Sequence, residues 1–173
     1  MTGKSLVVYF SRGDEEYGVG KVTPGNTEIL AKEIVSKLGA DEFKIVPAKK
    51  YPENYMECVN LATREKETNA RPEYVGDVDM SSYDTIFLGY PIWWGDLPMI
   101  VYSFIENHDF SGKTVVPFNT HEGSGNSGTY EILKSLLAGA NVVGDGFNMT
   151  GTVARTEDGI AELDDFLNSL SND

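Results

Sequence analysis

A chain of 173 residues, 40% hydrophobic and 24% charged, has the size and make-up of one globular domain spanning residues 1–173. Its apolar runs, such as residues 85–88 and 114–118, fall far short of the roughly 20 residues that cross a bilayer. Its formal net charge of −13 repels nucleic acid and anionic membranes, and favours docking onto basic-surfaced partner proteins.

Cys58 is the one cysteine, so an intramolecular disulfide and a cysteine-based zinc site are both excluded; it reads as a half-buried helix residue. The early apolar run at residues 6–10 is too short for a secretory leader and lacks a small-residue cleavage site. The expected location is cytoplasmic.

In chain order, strands are expected at residues 5–10, 42–46, 85–90, 114–119 and 141–149, each short and rich in β-branched or aromatic residues. Several are continuously apolar, the pattern of burial on both faces of a parallel sheet. Helical patterns alternate with them. Leu30, Ile34 and Leu38 share a face, and Gly39 closes that helix. A ragged stripe marks residues 55–69. Pro98 opens a helix carrying Val101, Phe104 and Ile105. Tyr130, Leu133, Leu136 and Leu137 form the next stripe. Thr156 caps the clearest amphipathic helix, with Ile160, Leu163, Phe166, Leu167 and Leu170. This alternation predicts an α/β fold, a doubly wound five-stranded parallel sheet with helices on both faces. Ligands bind such sheets at the carboxyl ends of the strands, beside the reversal in strand order. Three loops therefore carry the chemistry.

After the first strand come Ser11 and Arg12, an interruption at residues 13–22, and then Thr23-Pro24-Gly25-Asn26-Thr27 opening a helix. Hydroxyls and a glycine at a helix start suit an anion, because unpaired N–H groups and the helix dipole both point at it. No Gly-Lys-Ser/Thr ending and no GxGxxG follow this strand, so nucleotide loops of those kinds are excluded. After the third strand stands Tyr90-Pro91-Ile92-Trp93-Trp94-Gly95, holding both tryptophans of the protein. Their faces are suited to stacking on a planar ring system. After the fourth strand a flexible glycine-rich loop, Asn119-Thr120-His121-Glu122-Gly123-Ser124-Gly125, offers backbone amides to a polar edge. His108, the only other histidine, lies in a surface-like stretch, so no metal site is expected. A GxSxG elbow is missing, which leaves a hydrolase unsupported. No residue is assigned a catalytic role.

Taken together, Val8-Tyr9-Phe10-Ser11, Gly25-Asn26-Thr27, Gly89-Tyr90-Pro91-Ile92-Trp93-Trp94-Gly95 and Thr120-His121-Glu122-Gly123-Ser124-Gly125 resemble the flavodoxin family. The likeness is greatest to its short-chain form and to the branch with Tyr-Pro-Ile-Trp-Trp and Thr-His-x-Gly-Ser motifs. It covers nearly the whole chain. The resemblance implies a sheet of order 2-1-3-4-5 with non-covalent FMN at the switch point between the first and third strands. It implies that Ser11, Gly25, Asn26 and Thr27 hold the phosphate, with Arg12, Thr23 and Pro24 beside them. Pro91, Ile92, Trp93, Trp94 and Gly95 would line one side of the isoalloxazine. Thr120, His121, Glu122, Gly123, Ser124 and Gly125 would line the other side and the pyrimidine edge. The chain departs from long-known flavodoxins in the interruption that splits the first loop, in Pro24 where they have threonine, and in lacking their second stacking tyrosine.

An electron carrier between redox partner proteins is the function expected. An FMN-dependent NAD(P)H:quinone-type oxidoreductase is the alternative, and a flavin-binding regulatory domain without turnover is a third. Arg12 and Lys21 are the only basic residues close to the three loops in sequence, which favours the carrier.

Overall fold

The computed structural model describes residues 3–16 and 18–171; Tyr17, within the predicted interruption, lies outside the described residues. The main strands are β1 (Ser5–Tyr9), β2 (Asp41–Lys44), β3 (Thr85–Pro91), β4 (Thr114–His121) and β5 (Phe147–Thr150). They pair in parallel in the order 2-1-3-4-5, as the sequence led us to expect. A two-residue strand, Asn141–Val142, also pairs with β4. The helices are α1 (Asn26–Leu38), α2 (Tyr55–Glu67), α3 (Met99–Glu106), α4 (Thr129–Leu136) and α5 (Glu157–Leu170). A single helical turn, Gly151–Ala154, lies between β5 and α5.

Alternate side chains of one strand point to opposite faces, so an unbroken apolar strand feeds two cores. Leu6, Val8, Ile86, Leu88, Tyr90 and Val115 pack on the layer that contains Ile100, Phe104 and Leu133. Val7, Tyr9, Phe87, Val116 and Phe118 pack on Leu30, Ile34, Leu163 and Leu167. No described helix is long and apolar enough to cross a membrane.

The caps follow the sequence. Gly39 takes a left-handed conformation, φ 60°, and ends α1. The Thr156 hydroxyl accepts from the Gly159 N–H at 3.0 Å and starts α5. Asn54 does the same for α2, accepting from Glu57 N–H at 3.0 Å, so the ragged stripe is a capped helix ending at Glu67.

Three expectations need correction. The strand expected at residues 42–46 leaves the sheet after Ile45, whose N–H still reaches Tyr9 O at 2.7 Å. Pro47, with no N–H, cannot extend a ladder, and Val46–Pro47 pairs instead with Tyr74–Val75. The strand expected at 141–149 breaks at Gly144-Asp145-Gly146. Its halves pair with β4 either side of Pro117, which has no N–H to give. Leu136 is 44% exposed rather than inward: Tyr130, Leu133 and Leu137 keep helical spacing, and position 136 falls off that face.

Gly89 in β3 faces the fully buried Phe118 ring, and a β-carbon there would lie 2.2 Å from it. Gly89→Ala should therefore destabilise the fold by about 1–3 kcal/mol, the usual cost of overpacking. Urea unfolding measures this, and an unchanged midpoint would contradict the packing described.

Candidate functional site

The first loop is a detour with a closed neck. Residues Glu15–Glu16 and Gly20–Lys21 pair as an antiparallel hairpin, and the Val22 N–H bonds to Asp14 O at 3.1 Å. At the base the exposed Thr23 hydroxyl donates to Gly13 O at 3.0 Å. Gly25 completes the closure. A β-carbon there would lie 2.3 Å from Arg12 O and 2.5 Å from Ser11 Oγ, so glycine is demanded by close approach of the chain to itself. The interrupted halves of the motif are thus adjacent in space. Pro24 lies exposed on the loop, with its carbonyl turned to an arginine described below.

Gly25 has no side chain with which to cap α1, and Ser11 supplies the cap from 17 residues away. Its hydroxyl accepts from the Glu28 N–H at 3.0 Å. The N–H groups of Asn26 and Thr27, in the first turn, have no carbonyl within α1 to reach. Thr27 is buried, and its hydroxyl shares a 2.7 Å hydrogen bond with that of Thr120 at the end of β4. Arg12 is also buried. Its guanidinium donates to the carbonyls of Pro52 and Glu53, each at 2.7 Å, and ties the entry of α2 to the first loop.

The tryptophans divide. Trp93 stands edge-on to Phe10 and Tyr51, ring centroids 5.3 and 5.1 Å apart, and joins the core. Burial pushes the Tyr51 phenol above its usual range, so it stays protonated and donates to Glu65 at 2.9 Å. Trp94 is 57% exposed. It sits at φ 53°, followed by Gly95 at φ 68°, in a two-residue turn closed by two hydrogen bonds between Trp93 and Asp96. A bulky residue with positive φ is strained, and such strain concentrates at ligand clamps. Asp96 holds the turn in place: its carboxylate accepts from Leu97 N–H, from the Tyr102 hydroxyl and from Lys66 Nζ of α2, at 2.7, 2.7 and 2.9 Å. Ile92 N–H reaches Thr120 O at 3.0 Å and joins this loop to the next.

The glycine-rich loop, expected to be flexible, is braced from within. The buried Asn119 donates to Gly125 O at 3.1 Å, and Asn126 O accepts from the Thr129 hydroxyl at 2.7 Å. That leaves the Tyr90 hydroxyl to donate to Thr129 Oγ1 at 2.8 Å. His121 Nδ1 accepts from Gly123 N–H at 2.9 Å, so the ring hydrogen sits on Nε2, 3.0 Å from Asn148 Oδ1. Gly123 and Gly125 both have positive φ. Glu122 leans on two neighbours. Its Oε1 accepts from the Gly151 N–H at 2.9 Å, and a β-carbon on Gly18 at the hairpin would meet its Oε2 at 2.9 Å.

These loops enclose a cleft of about 320 Å³ over the carboxyl ends of β1, β3 and β4. Of the residues singled out in the sequence, Arg12, Asn26, Pro91, Ile92, Trp93, Trp94, Thr120, His121, Glu122 and Ser124 line it. Ser11, Thr23, Pro24, Gly25, Thr27, Gly95, Gly123 and Gly125 stand in the supporting backbone rather than on that lining. One wall was not foreseen: Tyr55, Cys58, Val59 and Ala62 of α2. Their i, i+3, i+4, i+7 spacing was the signal available, and Cys58 is buried rather than half-buried. Arg155 was also missed. From beyond the Gly151 turn it donates Nε to Asn26 Oδ1 at 2.9 Å and a terminal nitrogen to Pro24 O at 2.8 Å, across some 130 residues of sequence.

No curated protein sequence matches this chain. Among solved structures, a candidate flavoprotein of Bacteroides uniformis ATCC 8492 is 30% identical over 94% of this chain and 97% of that one, with a TM-score of 0.75. Another, of Bacteroides eggerthii DSM 20697, is 28% identical over 98% of this chain and 99% of that one, with a TM-score of 0.74. A flavoprotein of Lactobacillus acidophilus NCFM, solved in complex with FMN, shares the fold at 20% identity, covering 85% and 93% of the two chains with a TM-score of 0.67. The family model described as flavodoxin matches residues 4–164, from just before β1 into α5: this chain belongs to the flavodoxin family.

Proposed function

We propose that the cleft binds FMN and that the protein carries electrons between redox partners. The observation that carries this reading is the cleft itself, with an exposed indole at its mouth and an unsatisfied helix start at its closed end. Trp94, held in a strained turn, offers a face to a planar ring. The unpaired N–H groups of Asn26 and Thr27, with the α1 dipole, offer charge-assisted hydrogen bonds to a phosphate. The Thr27 hydroxyl also meets that of Thr120, which ties this end of the cleft to the end of β4. Ser11, Thr23, Pro24 and Gly25 shape that end, and Arg12 lines the cleft beside it. Pro91, Ile92 and Trp93 form one wall of the ring site, with Gly95 behind them. Thr120, His121, Glu122 and Ser124 form the opposite wall, which would take the pyrimidine edge, with Gly123 and Gly125 behind them. The chemistry of the residues fits FMN, and the FMN-bearing Lactobacillus relative supports the same choice.

Bound FMN would supply the one-electron redox chemistry. The two walls of the cleft would orient the ring and shield it from water. A cleft of about 320 Å³ lies within the ~300–1,000 Å³ common for ligand sites, which suits a flavin ring. The charge of −13 suits brief contacts with basic-surfaced partners.

Two outcomes test the reading. Titrating the protein into FMN should quench flavin and tryptophan fluorescence together. Trp94→Ala should restore flavin emission and weaken binding by about 1–3 kcal/mol, the range for a heterocycle stacked on an aromatic side chain. Bright flavin in a saturated wild-type complex would remove Trp94 from the ring. In anaerobic redox titration the loaded protein should take up its electrons in two resolved one-electron steps, with negligible NAD(P)H oxidation. A single two-electron step with rapid NAD(P)H turnover would make it an oxidoreductase instead.

A further inference from the structure

Among the described residues that line the cleft, Glu122 is the only acid, although the chain carries 27 acidic residues. Its backbone belongs to the wall after β4, but its carboxylate turns to the closed end. Oε1 accepts from the Gly151 N–H at 2.9 Å, where the chain leaves β5. Asn26 arrives at the same place. A β-carbon on Gly151 would lie 2.6 Å from Glu122 Oε1 and 2.0 Å from Asn26 Nδ2. Glycine at 151 therefore lets the first residue of α1 and the Glu122 carboxylate come together. The orientation of Asn26 fits this. Its Oδ1 accepts from Arg155 Nε at 2.9 Å, which leaves the NH2 on the Gly151 side. A full negative charge thus stands beside the start of α1, the end at which the helix dipole favours an anion.

We propose that Glu122 is a specificity-determining residue, which sets how strongly the site prefers phosphorylated flavin. Its carboxylate is the anion of this helix end in the ligand-free protein, and it opposes the phosphate when FMN arrives. This rests on the FMN reading above. Two negative groups at one helix end repel each other, so part of what the α1 start gives to the phosphate is lost to Glu122. The residue is exposed, so solvent and salt screen the repulsion, and it lowers FMN affinity without preventing binding. Riboflavin carries no phosphate and does not meet this charge.

The test compares dissociation constants for FMN and riboflavin, read by flavin fluorescence, in the wild type and Glu122→Gln. Glutamine keeps an acceptor for the Gly151 N–H and removes only the charge. The variant should bind FMN about three- to tenfold more tightly, the scale of one exposed charge pair, and riboflavin within about twofold of the wild type. Raising the salt concentration should narrow the difference in FMN affinity between the two proteins. Inorganic phosphate, added to the ligand-free proteins, should raise the melting temperature of Glu122→Gln more than that of the wild type. An FMN affinity unchanged or weakened in the variant would overturn the proposal, and so would equal gains for FMN and riboflavin. Either result leaves the FMN reading standing. A wild type that binds neither flavin would overturn that reading and this proposal with it, and is recognised without any variant.

Discussion

The carboxyl edge of this protein is organised by one hydrogen bond, from the Glu28 N–H to the Ser11 hydroxyl at 3.0 Å. It joins the exit of β1 to the first turn of α1 and fixes the angle at which the helix starts. A cap residue in the helix's own sequence would have satisfied the same donor, as Thr156 does for α5. Capping from the strand does more. It holds the strand end and helix start together beside the crevice between β1 and β3. That crevice exists because the chain, after β2, must cross β1 to lay down β3 on its other side.

Several other polar contacts around the cleft tie together elements far apart in sequence. Thr27 meets Thr120, Glu122 meets Gly151, Ile92 meets Thr120, and Asp96 meets Lys66. Arg12 ties the first loop to the entry of α2. Each bond contributes modestly by itself, about 1 kcal/mol or somewhat more where charge assists. Their joint effect is geometric, because walls built on separate crossovers are held at a set spacing before any ligand arrives. A site prepared in this way loses less entropy on binding than one that must assemble around its ligand.

The sheet was legible in the sequence because burial on both faces leaves unbroken apolar runs, and residues 85–90 and 114–119 each display one. The two strands that went astray are both interrupted by the loss of an N–H, at Pro47 and opposite Pro117. The three loops were legible by their turn and hydroxyl residues. The α2 wall was not, since Tyr55, Cys58, Val59 and Ala62 form a helical stripe that fits a core or a cleft equally well. Only the packing of α2 decides between them. The separate fates of Trp93 and Trp94 were equally hidden, because they follow from the sign of one backbone angle, which adjacent identical residues do not encode. Arg155 is harder still. Its partners Pro24 and Asn26 lie at the other end of the chain, and no local pattern announces a contact over that separation.

The hairpin at residues 13–22 bears on what a binding motif is. Written linearly, it splits the first loop in two. In space its neck is closed by Thr23 on Gly13 and by the contact of Gly25 with Arg12 and Ser11, so the flanking residues meet as though the hairpin were absent. The entropy of closing a loop grows only slowly with its length, by about 0.6 kcal/mol for each doubling. A detour pinned at its base therefore costs the fold little. What α1 needs at its start is a hydroxyl at the height of Glu28 and a residue without a β-carbon beneath it. Ser11 and Gly25 meet those two conditions whatever path the chain takes between them. The hairpin is then free to lean across the crevice, where Gly18 comes up against Glu122 on the opposite wall. An insertion that looks like damage to the loop in sequence becomes, in three dimensions, a third support for the cleft.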